Sequence, residues 1–467
     1  MLEKETFREY DIRGIYNVTL NDETGYLVGK SYGSKALEMG AKEVIVGYDN
    51  RLSSPSIHKK MIQGLLETGI NIIDLGLVTT PMLYFARKHL NNPFGIMITA
   101  SHNPKEYNGF KFSFTSIGNA YGKDIENFYE YTKKGDFKTG NGTLKQINIE
   151  DDYANYIIKS LNFGNKKIKA VFDPGNGTGS IIIKKIISKL PIEAVYINDI
   201  SDGNFPNHHP DPSVRANMKM LEDKVSELGF DIGVALDGDA DRVGIVDKNG
   251  QTISIDIVMA MVYKYLNNNL KYRNALFDVK CSRTLIDELK KLKIKPIMYR
   301  TGASYTNMMM QTGEFDFGGE YSGHLFFKDK FYGFDDGLYA GLRMIEILSN
   351  GISFEELRSD FNKYYSTDEM FIEVKEENKK NILNKIKEYV DEQNYKYEDI
   401  DGIRVEFENG FALIRSSNTT PRLSLRFEAK SLEELEEIKN EFMNLLEVVK
   451  WKNLLMSLKH SYQEETF

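Results

Sequence analysis

The sequence is poor in the features that mark secreted, membrane-bound and nucleic-acid-binding proteins. Its single cysteine, Cys281, excludes an intramolecular disulfide framework and is typical of a reducing compartment. No uninterrupted apolar run approaches the roughly 20 residues of a membrane helix, and the charged start MLEKETFREYD is unlike a signal peptide. The formal net charge of -8 disfavours a nucleic-acid partner, which needs clustered lysine and arginine in excess. We therefore expect a cytoplasmic protein with no membrane and no nucleic-acid partner.

Three common catalytic signatures are also missing. The chain has no G-x-x-x-x-G-K-[ST] phosphate loop, which disfavours an ATP-driven kinase. The segment DPGNGTGS at 173–180 lacks the third glycine of a dinucleotide-binding loop, so it predicts a tight strand-to-helix turn. No G-x-S-x-G elbow surrounds Ser101, although ITASHNPK places this serine directly behind an apolar run. Its surroundings leave open whether Ser101 is a nucleophile or a turn residue.

The chain is long, and it contains a recurring sequence pattern. Its 467 residues exceed the usual domain of about 100 to 200 residues, and 41% hydrophobic residues can form sizeable cores. An apolar β-rich run, an aspartate, a polar loop and an amphipathic stretch recur, with the aspartates at Asp49, Asp173 and Asp278. These spacings fit successive βαβ units rather than a solenoid repeat. We predict three related α/β domains with mixed sheets at 1–145, 146–250 and 251–366.

The pattern changes after about residue 368. Leu423, Leu425 and Phe427 alternate with polar residues, which predicts a strand with one buried face. A strand, a helix, further strands and a helix then follow without βαβ alternation. We therefore predict a smaller α+β domain at 367–467, which gives four domains in all.

Three carboxylates alternate in the segment LDGDADRVGIVD, at Asp237, Asp239 and Asp241. Oxygen-only ligation suits a hard cation such as Mg²⁺, which keeps open positions for a substrate phosphate. A solvated acidic turn is the competing interpretation. An EF-hand is excluded because Arg242 and Lys248 stand where that loop needs Gly and Glu. The Arg242 guanidinium is suited either to grip a phosphate or to neutralise the neighbouring carboxylates.

Two further loops offer polar groups to a ligand. GGEYSGH presents Glu320, Ser322 and His324 on alternate positions between glycines, an arrangement that either reads sugar hydroxyls or simply faces water. RSSNTTPR at 415–422 gathers hydroxyls, an amide and two arginines, and such a loop either encloses an anion or forms an ordinary turn.

Taken together, TASHNP, DGDADR, GEYSGH and RSSNTTP resemble the motifs of the α-D-phosphohexomutase family, in particular its bacterial phosphomannomutase/phosphoglucomutase members. The resemblance runs from FREYDIRG to LRFEA, almost the whole chain. It implies an α/β fold of four domains around a central cleft, three of them related. It also implies an isomerase that interconverts hexose 1-phosphate and hexose 6-phosphate, of mannose and/or glucose, through a phosphoserine enzyme and a hexose 1,6-bisphosphate intermediate.

The resemblance also implies roles for individual residues. Ser101 matches the serine that carries the phosphoryl group, and the expected Mg²⁺ ligands are Ser101, Asp237, Asp239 and Asp241. The other expected catalytic positions are His102, Lys111, Arg242, Lys280 and Arg13. The expected substrate-binding positions are Tyr10, Asn103, Glu320, Ser322, His324, Arg415, Ser417, Asn418 and Thr419. The implied cofactors are Mg²⁺, phosphorylated Ser101, and glucose 1,6-bisphosphate or mannose 1,6-bisphosphate as activator. The implied partner is a hexose phosphate, and we expect a monomer or dimer.

Departures from the family pattern leave alternatives open. Ala303 stands in RTGAS where family members often carry a histidine, so the candidates for general acid and base are His324, Lys111, Lys280 and Arg13. The sequence SNTTP in the phosphate loop points away from the phosphoglucosamine mutases, which the resemblance otherwise allows. A metal-dependent sugar phosphatase with an aspartate nucleophile and a non-catalytic sugar-phosphate-binding paralogue are the rival functions.

Overall fold

The structure is a computed structural model that describes residues 3–417 and 420–464, with side chains described as far as residue 449. Four sheets follow one another along the chain, and helices pack against each of them. Three of these units are α/β and the last is α+β, which confirms the predicted fold class. Among the described residues, no helix is both long enough and apolar enough to cross a bilayer.

The first sheet has six strands. They are β1 (Ile12–Ile15), β2 (Glu43–Tyr48), β3 (Asn71–Leu77), β4 (Gly95–Ile98), β5 (Tyr107–Ser113) and β6 (Leu144–Gln146). The order is β1-β5-β4-β2-β3-β6, with β5 antiparallel to both of its neighbours and the β4-β2-β3-β6 pairs parallel. The helices are a 3-10 turn (Lys4–Thr6), α1 (Asp22–Glu38), α2 (Ser54–Leu66), α3 (Thr80–His89) and α4 (Lys123–Lys134). Strand β6 spans the domain boundary predicted at 145.

The second sheet has five strands. They are β7 (Ile168–Asp173), β8 (Ile192–Tyr196), β9 (Ile232–Leu236), β10 (Val243–Asp247) and β11 (Thr252–Ile253), in the order β11-β10-β9-β7-β8. Strands β8, β7 and β9 are parallel, whereas β10 and β11 continue the sheet antiparallel. The helices are α5 (Glu150–Lys159), a 3-10 turn (Thr178–Ile181), α6 (Ile183–Ile187) and α7 (Arg215–Leu228).

The third sheet has four strands, β12 (Asn274–Asp278), β13 (Lys295–Tyr299), β14 (Phe317–Gly319) and β15 (Leu325–Phe327), in the order β13-β12-β14-β15. The first three of these run parallel, and β15 is antiparallel to β14. The helices are α8 (Ile255–Leu266), α9 (Arg283–Lys291), α10 (Ala303–Thr312), α11 (Gly337–Ser349) and α12 (Phe354–Leu357).

The fourth sheet is antiparallel throughout. Its strands are β16 (Tyr365–Ser366), β17 (Met370–Glu373), β18 (Lys396–Glu398), β19 (Ile403–Glu406), β20 (Gly410–Ser416) and β21 (Arg422–Ala429). The path is β16-β21-β20-β19-β18, and β17 also pairs with β21. The helices are α13 (Glu376–Glu392) and α14 (Leu432–Glu464).

The repeat in the sequence corresponds to one strand in each of the first three sheets. Strands β2, β7 and β12 each pair with a strand on both sides, and Asp49, Asp173 and Asp278 stand at or directly after their carboxyl ends. All three aspartates are buried. Each accepts hydrogen bonds from the loop that follows its strand, as Asp49 does from the Arg51 amide and the Ser54 hydroxyl. These aspartates therefore shape the loops at the ends of the strands.

The apolar cores divide the molecule unevenly. One continuous cluster of buried side chains runs from Ile45 and Met97 in the first domain through the second and third domains. The fourth domain has a separate core that includes Val405, Leu425 and Phe442. A small buried cluster of Val279, Phe411 and Leu413 joins the third and fourth domains.

Candidate active site

The four domains enclose a cleft of about 720 Å³. Fourteen of the predicted site residues line it: Tyr10, Arg13, Ser101, His102, Asn103, Lys111, Asp241, Arg242, Lys280, Glu320, Ser322, His324, Arg415 and Ser417. Asp237 and Asp239 are fully buried beside them. The two remaining predicted residues, Asn418 and Thr419, lie outside the described residues. Segments that are hundreds of positions apart in the sequence therefore meet at one place.

Ser101 sits in a tight loop between β4 and β5. Its backbone has a φ of 50°, in the left-handed region that residues other than glycine rarely adopt. The Thr99 hydroxyl accepts a hydrogen bond from the Ser101 amide at 2.8 Å. Ser101 is thus both a turn residue and a side chain directed into the cleft. Strain of this kind persists only where surrounding contacts hold it.

Arg51 supplies those contacts. This arginine is only 1% exposed, and its Nε lies 3.2 Å from Asp49 Oδ2. Its two terminal nitrogens donate to main-chain carbonyls at 2.6 to 3.1 Å, those of Ser101, Asn103, Pro104 and Tyr107. A single guanidinium therefore fixes the loop that presents Ser101.

The Ser101 hydroxyl points at the acidic loop of the second domain. Ser101 Oγ donates to Asp237 Oδ2 at 2.9 Å. Carboxylate oxygens of Asp237, Asp239 and Asp241 lie within 4.8 Å of one another, and all three residues are buried. The backbone between them turns sharply, with Ala240 at a φ of 65°. The acidic segment is therefore not a solvated turn.

The first domain supplies positive charge to this acidic trio. Lys111 Nζ lies 2.8 Å from Asp239 Oδ2 and 2.6 Å from Asp241 Oδ2. Burial would raise the pKa of Asp239, but the Lys111 ammonium holds that pKa below its ordinary value. Burial, together with the neighbouring Asp241 and Asp239, instead raises the pKa of Asp237 well above its usual range. The Lys111 ammonium therefore neutralises only part of the charge gathered here.

The trio fits a divalent cation on the evidence of its own unsatisfied atoms. Asp239 Oδ1 and Asp241 Oδ1 are buried and have no hydrogen-bond partner among the described residues. A buried carboxylate oxygen without a partner is costly, and a hard cation is the ligand that removes this cost. Asp237, Asp239 and Asp241 would hold Mg²⁺ beside the Ser101 oxygen.

Arg242, His324 and Asp335 form a hydrogen-bonded chain next to the trio. Arg242 Nε donates to His324 Nε2 at 2.9 Å, and His324 Nδ1 lies 2.8 Å from Asp335 Oδ2. Because the guanidinium can only donate, His324 accepts at Nε2, and its other ring nitrogen faces Asp335. Burial lowers the pKa of His324, but the Asp241 and Asp335 carboxylates together raise it above its ordinary value.

The N-terminal segment adds groups on the other side of Ser101. Arg13 Nη1 donates to Asn103 Oδ1 at 2.7 Å, and Arg13 Nη2 pairs with Asp11. Burial, followed by the positive charges of Arg242 and Arg13, keeps the pKa of His102 well below its usual range. His102 is therefore neutral at physiological pH.

The third domain contributes a polar recess. Glu320 Oε1 accepts from Thr306 Oγ1 at 2.7 Å and from the Gly302 amide at 3.1 Å. Ser322 Oγ lies 3.4 Å from the other Glu320 oxygen, which leaves both groups able to bind hydroxyls. Ala303 begins α10 at the edge of this recess and presents only a methyl group to the cleft.

Lys280 connects the third domain to the fourth. Its ammonium lies 3.1 Å from Glu369 Oε2, and the other Glu369 oxygen accepts from Ser424 Oγ at 2.5 Å. Burial lowers the pKa of Lys280, but the Glu369 and Asp278 carboxylates together raise that pKa above its ordinary value. Lys280 therefore carries a positive charge in the cleft.

The phosphate loop of the fourth domain is held at both ends. Arg415 Nε donates to Asp401 Oδ2 at 2.9 Å, and the same carboxylate oxygen accepts from the Thr301 amide at 3.0 Å. Lys379, which is 4% exposed, donates to the carbonyls of Ser417 and Thr420. Asp401 therefore joins the phosphate loop to the third domain, and Lys379 places a buried charge beneath it.

Sequence reasoning missed several residues that the cleft depends on. They are Arg51, Asp335, Glu369, Lys379 and Asp401. Of these residues, only Arg51 lies in a segment of the recurring pattern, EVIVGYDNRLSS. In that segment the pattern pointed to Asp49 and not to Arg51. The others act by contacting residues far away in the sequence, so no local pattern marked them.

The fold and the cleft define the class: a four-domain α/β enzyme built to move a phosphoryl group on a small polar substrate. A serine beside three carboxylates, opposite a loop of arginine and hydroxyl groups, is suited to that chemistry.

Comparison with known proteins identifies the family. Models of the phosphoglucomutase/phosphomannomutase alpha/beta/alpha domains I, II and III match residues 4–139, 151–250 and 254–364, and the model of the C-terminal domain matches 371–445. A phosphomannomutase/phosphoglucomutase of Pseudomonas putida is 40% identical over 94% of this chain and 95% of its own length. A phosphoglucomutase of Neisseria meningitidis serogroup A is 38% identical over 95% of this chain and 97% of its own.

A solved structure agrees. The phosphoglucomutase/phosphomannomutase family protein of Burkholderia thailandensis superimposes with a TM-score of 0.88 at 34% identity, covering 96% of this chain and 98% of that one. The chain belongs to the phosphoglucomutase/phosphomannomutase family, which confirms the resemblance read from its motifs.

Proposed function

We propose that this chain is a Mg²⁺-dependent phosphohexomutase that interconverts the 1-phosphate and 6-phosphate of mannose and/or glucose. The observation that carries the proposal is the 2.9 Å contact between Ser101 Oγ and Asp237 Oδ2, inside a cleft that all four domains line. Ser101 in its phosphorylated form is the phosphoryl donor. Glucose 1,6-bisphosphate or mannose 1,6-bisphosphate supplies that phosphoryl group when Ser101 is bare.

The arrangement supports a two-step transfer. The bond between phosphorus and Ser101 Oγ breaks as a new bond forms to the free hydroxyl of the hexose phosphate, giving the 1,6-bisphosphate. The bisphosphate then reverses in the cleft, and its other phosphoryl group returns to Ser101. The Arg415 loop grips whichever phosphate is not reacting, while Glu320 and Ser322 bind sugar hydroxyls in either pose. Polar contacts that do not demand one orientation suit such a reversal.

His324 is the best supported of the four candidates for proton transfer. Carboxylate partners raise the pKa values of Lys111 and Lys280 despite their burial, and the Arg13 guanidinium can only donate hydrogen bonds. His324 Nε2 accepts a hydrogen bond from Arg242, so it can hold a proton once that contact is broken, and Asp335 faces the other ring nitrogen. When the substrate phosphate engages Arg242, His324 Nε2 is released to take the proton of the attacking hydroxyl.

Mg²⁺ bound at Asp237, Asp239 and Asp241 supplies positive charge where the transferred phosphoryl group passes. Lys111, Arg242 and Lys280 surround the same space and neutralise the charge that spreads over the phosphoryl oxygens. The Asp237 contact orients the Ser101 oxygen for in-line attack and departure. Enclosure by four domains excludes water, which would otherwise hydrolyse the phosphoserine.

The test combines mass and turnover. Intact mass with and without phosphatase treatment should reveal one removable phosphate, located at Ser101. With Mg²⁺ and glucose 1,6-bisphosphate, the protein should interconvert hexose 1- and 6-phosphates, and Ser101→Ala should lose nearly all turnover. Ser188→Ala, which alters an exposed serine at the end of α6, is the matched control and should keep full activity.

Two outcomes would contradict the proposal. Phosphate release that survives in Ser101→Ala would favour a phosphatase with an aspartate nucleophile. A lack of interconversion in the wild-type chain would favour a sugar-phosphate-binding protein without catalysis. Parallel rates on mannose, glucose and glucosamine 1-phosphates would rank the substrates.

A further inference from the structure

A second cavity lies behind the cleft, between the first and third domains. Its volume is about 170 Å³. The walls come from the last turn of α3, the loop at 115–118 and the helix α10. Tyr84 lines both this cavity and the cleft.

The walls of this cavity carry positive charge only. Arg87 and Lys88 line it, and no aspartate or glutamate does so in the described part of the chain. Arg87 uses Nε and Nη2 to bond the carbonyls of Pro93 and Thr115, and Nη1 has no hydrogen bond to any described residue. Burial, followed by the nearby Arg87 and Lys328, lowers the pKa of Lys88.

The charges of Arg87 and Lys88 also complement the carboxyl end of α3. This interaction with the helix end explains why both side chains are positively charged. It does not provide an acceptor for Arg87 Nη1 among the described residues. Lys88 Nζ donates to Ser116 O and Gln311 Oε1, which holds the ammonium at the cavity wall. The cavity wall therefore carries two cations, one of which has a donor with no protein acceptor in the ranges that the structure describes, and such donors are suited to bind an anion.

Asn307 gives an independent sign of a missing ligand. It is 7% exposed, lines the cavity from α10, and its amide forms no hydrogen bond with any described residue. A Cβ added at Gly118 would lie 3.6 Å from the Asn307 amide carbon, which is an ordinary van der Waals distance. The Asn307 amide is therefore accessible from the cavity and free to bond with a polar occupant.

We propose that this cavity binds a small inorganic oxyanion of the phosphate and sulfate type. Its volume corresponds to about five or six water molecules and is below the roughly 300 Å³ at which sites for larger organic ligands begin. Arg87 Nη1, Lys88 Nζ and the Asn307 amide donate to the anion oxygens. The anion ties α3 of the first domain to α10 of the third.

The site is placed to influence the cleft. Helix α10 carries Asn307 and Gln311 in the cavity wall and Ala303 at the edge of the polar recess of the third domain. Tyr84, in the shared wall, accepts a hydrogen bond from Asn119 Nδ2 at 2.6 Å, and Asn119 itself lines the cleft. An anion that braces α10 therefore stabilises the recess that holds Glu320.

The experiment measures binding of radiolabelled sulfate by equilibrium dialysis, with saturating glucose 6-phosphate present to occupy the cleft. The wild-type chain should retain one sulfate. Lys88→Met and Asn307→Leu should each weaken this binding about tenfold or more, because each removes a donor to a charged ligand. Lys42→Met removes an exposed lysine of the same domain and should bind as the wild type does.

Crystals soaked in selenate give a second, independent measurement through anomalous scattering, with a peak expected between Arg87 and Asn307. The proposal is overturned if both cavity variants bind sulfate as tightly as Lys42→Met, or if selenate leaves the cavity empty. Neither variant alters a residue of the proposed catalytic site. Should the cleft fail to bind glucose 6-phosphate, a second sulfate would appear there in every variant, so a failure of the proposed function remains distinguishable.

Discussion

Arg51 is expected to control the position of Ser101, and Arg51→Met tests this most directly. Methionine keeps most of the apolar stem but removes every donor of the guanidinium. Four main-chain carbonyls of the 101–107 loop then lose their partner, and Asp49 becomes an unpaired buried carboxylate. Breaking a buried ion pair in this way destabilises a protein by about 3–5 kcal/mol. Ser101, at a φ of 50°, would relax towards an ordinary turn.

The loss of activity should exceed what instability explains. A displacement of about 1 Å at the reacting group costs roughly 100-fold in rate, so we expect kcat to fall about 100-fold. KM should change less than about threefold, because most of the proposed substrate-binding residues, such as Glu320, Ser322 and Arg415, lie in the third and fourth domains, and Arg51 contacts only Asn103 among them. The assay couples glucose 6-phosphate formation to a dehydrogenase, at a temperature where circular dichroism shows the variant to be folded.

Arg343→Met is the matched control. Arg343 is equally buried and pairs with both oxygens of Asp329 at 2.7 and 2.8 Å, away from the cleft lining. It should lose comparable stability with little change in kcat. The reasoning is wrong if folded Arg51→Met keeps kcat within about threefold of the wild type, or if the two variants lose activity equally.

Three further predictions concern single contacts. Burial raises the pKa of Asp336 to about 7 from an ordinary 3.8. Between these two pH values the folded chain keeps a proton that the unfolded chain releases. The free energy of unfolding therefore falls as the pH rises through this range. Asp336→Asn, which can still cap α11 at Tyr339, should flatten this part of a urea-unfolding profile; an unchanged slope from pH 4 to 7 would refute it. Lys111→Met should bind Mg²⁺ about tenfold more tightly, because the ammonium of the wild-type chain competes with the cation for Asp239 and Asp241. Calorimetry measures this affinity, and equal affinity in the two proteins would count against the competition. Asp401→Ala should raise KM about tenfold with little loss of kcat, because Arg415 loses the carboxylate that orients it; a selective fall in kcat would contradict this role.

Much of the architecture could be predicted from local sequence. The alternation of Leu423, Leu425 and Phe427 correctly placed a strand, β21, but the expectation of a single buried face was wrong. The alternating Ser424, Arg426 and Glu428 are buried as well, because they bond with Glu369, Asp256 and the Arg283 amide. The three recurring aspartates marked three strand ends in three related domains. These features depend on side-chain periodicity and on the chemistry of a turn, which are both properties of neighbouring residues.

The motifs for the site were likewise visible, but the amino-acid sequence could not resolve their competing interpretations. Whether Ser101 was a turn residue or a reactive group depended on its distance from Asp237, 136 positions away. Whether the acidic trio was solvated depended on burial between two domains. At Ala303 the sequence showed that the histidine often found in the family is missing. It did not show that the other candidate, His324, lies beside Asp335.

The sequence by itself determined the order of domains, the types of groups available for chemistry and the family to which they belong. Only the tertiary structure decided which groups touch: Ser101 with Asp237, Arg51 with the loop beneath the serine, Asp401 with Arg415. The physical reason is that periodicity records which face of an element is buried, whereas electrostatic contacts depend on distances between elements. Those distances are set by how the sheets and helices pack together.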